Sequence, residues 1–151
     1  MKIIFQTTAV VAFFFIMNAC KTTSSVQKTP SDGITEKYWK LIEINGKTVE
    51  WDESAKQEAF IILKDEDNSV NGNGGCNTLT GSYELDRKTN RIKFTQMATS
   101  MMACFNMEIE EQLKQALSMA DNYSLSDDGK YLSLNRARMA PLARFEVVYL
   151  R

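Results

Sequence analysis

A mainly β domain with one helix is the fold the sequence predicts: a small antiparallel sheet curled into a barrel-like shape, with an open α+β sheet carrying one packed helix as the alternative. Three observations predict it. Short apolar segments with period-two alternation recur through residues 37–151. Turns rich in glycine, asparagine and aspartate separate them. A single stretch, Met107 to Ala120, carries its apolar residues at helical period instead. The chain has 151 residues, enough for one domain with a real but shallow core.

The elements follow in order. Tyr38 to Ile44 reads as a strand with Trp39 and Leu41 on one face, ended by the Asn45-Gly46 turn. Trp51 to Glu58 is polar and fits a loop or one helical turn. Ala59 to Leu63 is the second strand and runs into the acidic turn Asp65-Glu66-Asp67-Asn68. The segment Val70 to Asn77 is crossed by Gly72, Gly74 and Gly75, a pattern of bends and close backbone approach. Leu79, Gly81, Tyr83 and Leu85 alternate along a third strand, and Ile92 to Met97 forms a fourth.

The helix stripe comprises Ile109, Leu113, Ala116, Leu117 and Ala120. Asn106 is the expected N-cap, and Glu108, Glu110 and Glu111 suit the exposed N–H groups of a first turn, where they read as capping and solubility. Tyr123–Leu125, Tyr131–Leu134 and Leu142–Leu150 finish a count of about seven strands. In the last of these, Ala143, Phe145, Val147 and Tyr149 form the expected inward face.

The first twenty residues, MKIIFQTTAVVAFFFIMNAC, place Lys2 ahead of an apolar stretch from Thr7 to Met17, followed by Cys20. A helix over that stretch spans roughly 16 Å, about half of a bilayer's hydrocarbon core, so a secretory signal fits better than a membrane span. The cysteine makes the segment resemble a bacterial lipoprotein signal, in which that residue is lipidated and becomes the first of the mature protein. Met17 stands where the pattern prefers leucine, and Ala19 supplies the small residue before the cut. A plain cleaved signal and a retained helix are the alternatives. The resulting organisation is a signal peptide at 1–19, a flexible tether at 20–36 and one domain at 37–151. The tether is polar, rich in Ser and Thr, and without hydrophobic period. An irregular strap along the domain is the other reading of it. The expected location is the bacterial cell envelope, lipid-anchored through Cys20, the outer membrane favoured and the leaflet open.

Cys76 and Cys104 remain. An even pair in an oxidising compartment is a disulfide by default, worth on the order of 3.5 kcal/mol by chain-entropy arithmetic. Two buried free thiols are one alternative and redox chemistry another. The chain has no histidine and no C-x-x-C spacing, so nothing in it activates a thiol.

Trp39-Lys40-Leu41 with Asn45-Gly46, then Gly75-Cys76-Asn77-Thr78-Leu79-Thr80-Gly81-Ser82-Tyr83, then Met102-Ala103-Cys104 together resemble the META domain, the HslJ-like family of bacterial envelope proteins. The resemblance covers about Tyr38 to Leu150. It implies a small β-rich barrel with a flanking helix, in a family that includes many lipoproteins and heat-inducible proteins linked to tolerance of an antibiotic, with no agreed biochemical activity. Ser100-Met101 stands where the family has threonine and a basic residue, and Asn135 to Pro141 replaces a glycine turn, implying a longer or irregular connection. Read from the residues alone, the structural motif Trp39, Gly75, Asn77, Gly81 and Tyr83 is mechanical. Gly74 and Gly75 let the chain bend, Asn77 bonds nearby backbone, and Gly81 admits a close neighbour against which Tyr83 packs.

The absence of histidine removes the commonest general base, the Ser-His-Asp and Cys-His arrangements, and every His-ligated metal site. Lys+Arg is 18 and Asp+Glu is 19, so there is no basic excess for nucleic acid. Asp65, Asp67, Ser69 and Asn71 begin like a calcium loop, but Val70 and Cys76 stand where glycine and glutamate are required. Asn73-Gly74-Gly75 lacks the Gly-Lys-Ser/Thr of a phosphate loop, and no pair of acids is singled out by spacing. Met97, Met101, Met102 and Met107 are read as core fillers, with soft-metal binding as the sharper alternative. Arg136, Arg138 and Arg144 are read as a solvated face, the alternative being a basic patch. The expectation is therefore a non-enzymatic, envelope-anchored domain without cofactor or metal. Its role would be binding or structural, linked to envelope stress, with an envelope protein or cell-wall component as partner. The alternative function is a carrier or sensor of a small amphiphile in the barrel interior.

Overall fold

The structure is a computed structural model, describing residues 33–51, 57–105, 107–138 and 140–149. The leader, Cys20, the tether up to residue 32 and the expected N-cap Asn106 lie outside the described residues.

Nine strands and one helix follow one another: β1 Tyr38–Ile44, β2 Lys47–Thr48, β3 Phe60–Leu63, β4 Ser69–Asn73, β5 Thr78–Asp86, β6 Arg91–Thr99, α1 Glu108–Met119, β7 Asn122–Leu125, β8 Tyr131–Asn135 and β9 Ala143–Val148. All pairings are antiparallel, and each of β3 to β8 pairs with the next in sequence. β1 pairs with β3 on one side and β9 on the other, so a ring of hydrogen bonds runs round the sheet, with β2 appended to β1. This closure bears out the barrel-like expectation over the open sheet. The ring is narrowest between β6 and β7, joined through the single pair Arg91↔Asn122. α1 lies between these two strands in sequence and packs against β6 and β1.

Alternation places the core as the sequence foretells in most strands. Trp39 and Leu41 of β1, Ile61 and Leu63 of β3, and Phe145 of β9 are wholly buried. A register shift between Leu41 and Glu43 turns Ile44 inward as well. From α1, Leu113, Ala116 and Leu117 complete one cluster that also holds Tyr83, Phe94 and Leu132. Full burial of such side chains contributes roughly 1.5–3 kcal/mol each.

Several expectations need correction. β2 was not foreseen, and the glycine-crossed segment from Val70, left out of the count of about seven, forms β4 straight through Gly72. A Cβ on Gly72 would stand 2.2 Å from the Phe60 carbonyl oxygen, so glycine here serves close pairing with β3. Tyr149 is 70% exposed because β9 ends at Val148 and the inward face ends with it. The packed domain begins before residue 37. Ile34 and Thr35, assigned to the tether, are buried, and the Trp39 indole N–H donates to the Ile34 carbonyl at 2.7 Å. Residues 33–36 thus pack into the domain rather than lying free of it. The irregular connection expected before the last strand is present: Ala137 has φ 52° and is held by Asp121 and Asn122.

The acidic turns make self-contained carboxylate caps. Asp67 accepts from the Ser69 backbone, Asp86 from Thr89 and Lys88, and Asp128 from Ser126 and Lys130. Hydrogen bonds from Ser69, Thr89 and Ser126, in that order for the three, hold these carboxyls below the ordinary range. A depressed carboxyl contributes stability that is present above its unfolded pKa, about 4, and lost as pH falls through the folded value. The stability difference between wild type and Asp86→Asn/Asp128→Asn is therefore expected to be full at pH 7 and to shrink below about pH 4. Thermal melts of both proteins across pH 2–7 check it, and a pH-independent difference counts against it.

Candidate functional site

The motif residues converge where β4 passes into β5. The turn begins at Asn73, whose side-chain oxygen accepts from the Gly75 N–H at 2.6 Å while its amide donates to Gln57 at 2.9 Å. Gly75 takes φ 110°, a conformation reserved in practice for glycine. Gly74 is held by space: a Cβ there would meet the Glu110 side chain at 2.5 Å. Cys76 then forms the disulfide with Cys104, with Cα atoms 6.2 Å apart.

Asn77, 1% exposed, is the centre of the arrangement. Its backbone N–H donates to one carboxyl oxygen of Glu110 at 2.8 Å, and its side-chain amide donates to the other at 3.0 Å. The second amide hydrogen reaches the Met102 carbonyl at 3.1 Å. Its side-chain oxygen accepts from the Met102 N–H at 2.7 Å and from the Ser100 hydroxyl at 2.9 Å. All the side chain's donor and acceptor capacity is thus used. The amide orientation is fixed chemically, because the Met102 N–H can only donate and its carbonyl can only accept. Ser100 also accepts from the Thr78 N–H, extending β5 toward the 100–104 segment.

Glu110 is the functional-looking residue that sequence reasoning assigned wrongly. It is 2% exposed and braces the turn from the helix, whereas Glu108 and Glu111 are exposed as expected. A signal was available: Glu110 precedes Leu113 by three and Leu117 by seven, so it belongs to the buried stripe. Ile109, counted in that stripe, is only partly buried at its edge. No side-chain cap is bonded at the helix start, consistent with the first-turn carboxyl being used inward.

The other motif residues sit apart from this node. Tyr83 is buried in the core, and its hydroxyl donates to the Lys64 carbonyl at 2.9 Å. Burial, aided by the nearby Asp65 charge, pushes its hydroxyl pKa up to about 12. Stability from Tyr83 is therefore full below its unfolded value near 10 and lost as pH rises through about 12. The close neighbour admitted at Gly81 is Met97, its sulfur 2.5 Å from where a Gly81 Cβ would be, with the Thr95 carbonyl at 3.0 Å. Gly81→Ala is accordingly expected to cost about 1–3 kcal/mol through overpacking, read as a lowered urea midpoint with unchanged slope.

Of the four methionines read as fillers, Met97 fills and Met107 is half-buried, but Met101 is 98% and Met102 44% exposed. Phe105 is fully exposed beside them. These two methionines fail as core residues because the node clamps their backbone on the rim, with Met102 bonded through its N–H and carbonyl rather than through its side chain. The calcium-like acids are engaged elsewhere: Asp65 pairs with Arg87 at 2.7 Å and accepts from Thr35, and Asp67 caps its own turn. Among the described residues no cluster of three or more histidine, cysteine, aspartate or glutamate side chains is arranged to hold a metal. Arg144 lies 3.6 Å from Glu43 and over the Tyr131 ring, while Arg136 and Arg138 are exposed on the preceding connection.

Tyr83, Phe94 and Phe145 lie in one continuous buried cluster. Two clefts among the described residues are partly open to solvent. One of about 350 Å³ is lined by Glu84, Asp86, Arg91 and Lys93, and one of about 410 Å³ by Ile34, Arg87 and Tyr123.

A disulfide-stapled β ring with one packed helix and a saturated polar node at the stapled turn describes a class of small β-rich domain. The chain belongs to the META domain family, whose sequence model matches residues 32–149. No curated protein matches it. Three solved structures share the fold. One determined by NMR is 20% identical, covering 76% of this chain and 91% of that one, with a TM-score of 0.57. An NMR structure of a protein from Burkholderia xenovorans is 19% identical over 76% and 83%, with a TM-score of 0.56. A crystal structure of a DUF4847 family protein from Bacteroides vulgatus is 14% identical over 75% and 93%, with a TM-score of 0.52.

Proposed function

We propose that this chain is an envelope lipoprotein, anchored through a lipid on Cys20, whose META domain has a binding or structural role and performs no catalysis. The observation that carries the reading is the saturation of the motif. The polar groups of Asn77 and the carboxyl of Glu110 are bonded to each other and to the 100–102 segment. Groups so committed hold a shape; they do not meet a substrate. What the node holds outward is apolar: Met101, Met102 and Phe105. Exposed apolar side chains on a fixed backbone suit contact with another macromolecule, here an envelope protein or a cell-wall component. The leader ending at Cys20 supports the location. An interior amphiphile carrier has less support, because the inward side chains of the sheet belong to one buried apolar cluster.

Two measurements test the proposal separately. Labelled fatty acid supplied to cells is expected to enter the wild-type chain and not Cys20→Ala. A photocrosslinking residue at position 105 is expected to capture one recurrent envelope component, while the same group at position 84 captures none. Unlabelled wild type overturns the anchor; equal, scattered capture at both positions overturns the contact surface.

A further inference from the structure

Met101 presents its thioether in an unusual setting. Nearly its whole surface is in solvent, yet its backbone is fixed on both sides. Ser100 donates to Asn77, and its own N–H donates to the Thr78 carbonyl. Met102 is bonded through its N–H and carbonyl, and Cys104 is disulfide-bonded two residues on. The contacts that order the segment involve none of the Met101 side chain. Other thioethers differ. The Met97 sulfur is seated over Gly81, and the Met119 sulfur lies 3.6 Å from the Arg136 guanidinium, with both residues half-buried. Susceptibility of methionine to oxidants follows access to the sulfur, and the sulfoxide is polar enough to disrupt a packed site.

We propose that, among the described residues, Met101 is the principal oxidation site, accepting an oxygen atom from a peroxide, with Met102 second. In this step a sulfur lone pair attacks one peroxide oxygen. The S–O bond forms as the O–O bond breaks, and with hydrogen peroxide the second oxygen leaves as water after proton transfer. Sulfur loses two electrons and the peroxide gains them. The fold tolerates the product because the new S=O group points into water and no clamp is touched. The effect is local: an apolar rim becomes polar. This inference does not depend on the lipid anchor or on a partner.

The test is peptide mapping by mass spectrometry of the purified chain during graded treatment with hydrogen peroxide under native conditions. Sulfoxide is expected at Met101 about tenfold faster than at Met97 or Met119, with Met102 between. Protein carrying one oxygen is expected to melt within about 2 °C of untreated protein. Met101→Leu is expected to abolish the fastest phase and leave the Met102 rate unchanged. In guanidinium chloride the rates are expected to converge, since the fold sets their order. Equal native rates at Met97 or Met119, a fast phase surviving in Met101→Leu, or loss of the cooperative melt at one oxygen per molecule would each overturn the proposal.

Discussion

Asn77→Ala is expected to destabilise the domain by about 3–4 kcal/mol, through buried groups left without partners. The substitution removes the acceptor for the Met102 N–H and Ser100 hydroxyl, and the donors to the Met102 carbonyl and to one oxygen of Glu110. Met102 and Ser100 lie on the rim, where water replaces part of the loss. Glu110, 2% exposed, has no such recourse. Its remaining donor is the residue 77 N–H, which survives in alanine. Glu110→Gln is also expected to destabilise, by about 1–2 kcal/mol, because its amide group would face a donor where an acceptor is needed. The two sites form one unit, so the double variant Asn77→Ala/Glu110→Ala is expected to cost less than the sum of the two alanine singles by about 1–2 kcal/mol. Urea unfolding of the four proteins in a cycle measures this. A loss below about 1 kcal/mol for Asn77→Ala, or strict additivity, would show that the node is not a cooperative support.

The sequence displays local regularities more openly than long-range ones. β1 and β9 were legible because their apolar residues alternate, in β1 as far as the register shift after Leu41, and Trp39, Leu41 and Phe145 are buried as that pattern requires. Cys76 and Cys104 were legible because two thiols behind an export-type leader are expected to pair, and the bond is present. β4 was obscured by Gly72, which has no side chain to contribute to the alternation and is there to let backbones pair closely. Tyr149 continues the pattern of β9 in sequence after the strand has ended in space. Closure of β1 on β9 joins the two ends of the domain and has no local marker. Glu110 was misread for a related reason. An acid in a first helical turn has an adequate local explanation, and the partner that overrides it, Asn77, stands 33 residues away. The motif around Asn77 was recognisable as a pattern, but its meaning as a clamp on the 100–104 segment required the contacts.

Removing the disulfide is expected to have a comparable effect by a different route. Cys76→Ala/Cys104→Ala opens the loop between the two positions in the unfolded chain, restoring conformational entropy worth on the order of 3.5 kcal/mol in the chain-entropy model. Against a typical domain stability of about 5–15 kcal/mol this is a large share, and it corresponds to a fall in Tm on the order of 10–20 °C. Reductant is expected to reproduce the loss in the wild type and leave the double variant unmoved. The native state contributes too. Cys104 ties down the segment that follows Met102, and the Asn77 bonds tie down the segment that precedes it. With the covalent tie gone, amide exchange is expected to rise first in residues 101–105, while β5 and β9 retain protection. Both clamps act on one segment, so combining Asn77→Ala with loss of the disulfide is expected to cost less than the separate losses added together. A variant within about 1 kcal/mol of wild type would contradict the staple as a stabilising element, and exchange rising first in β9 would place the weak point at the β1–β9 closure instead.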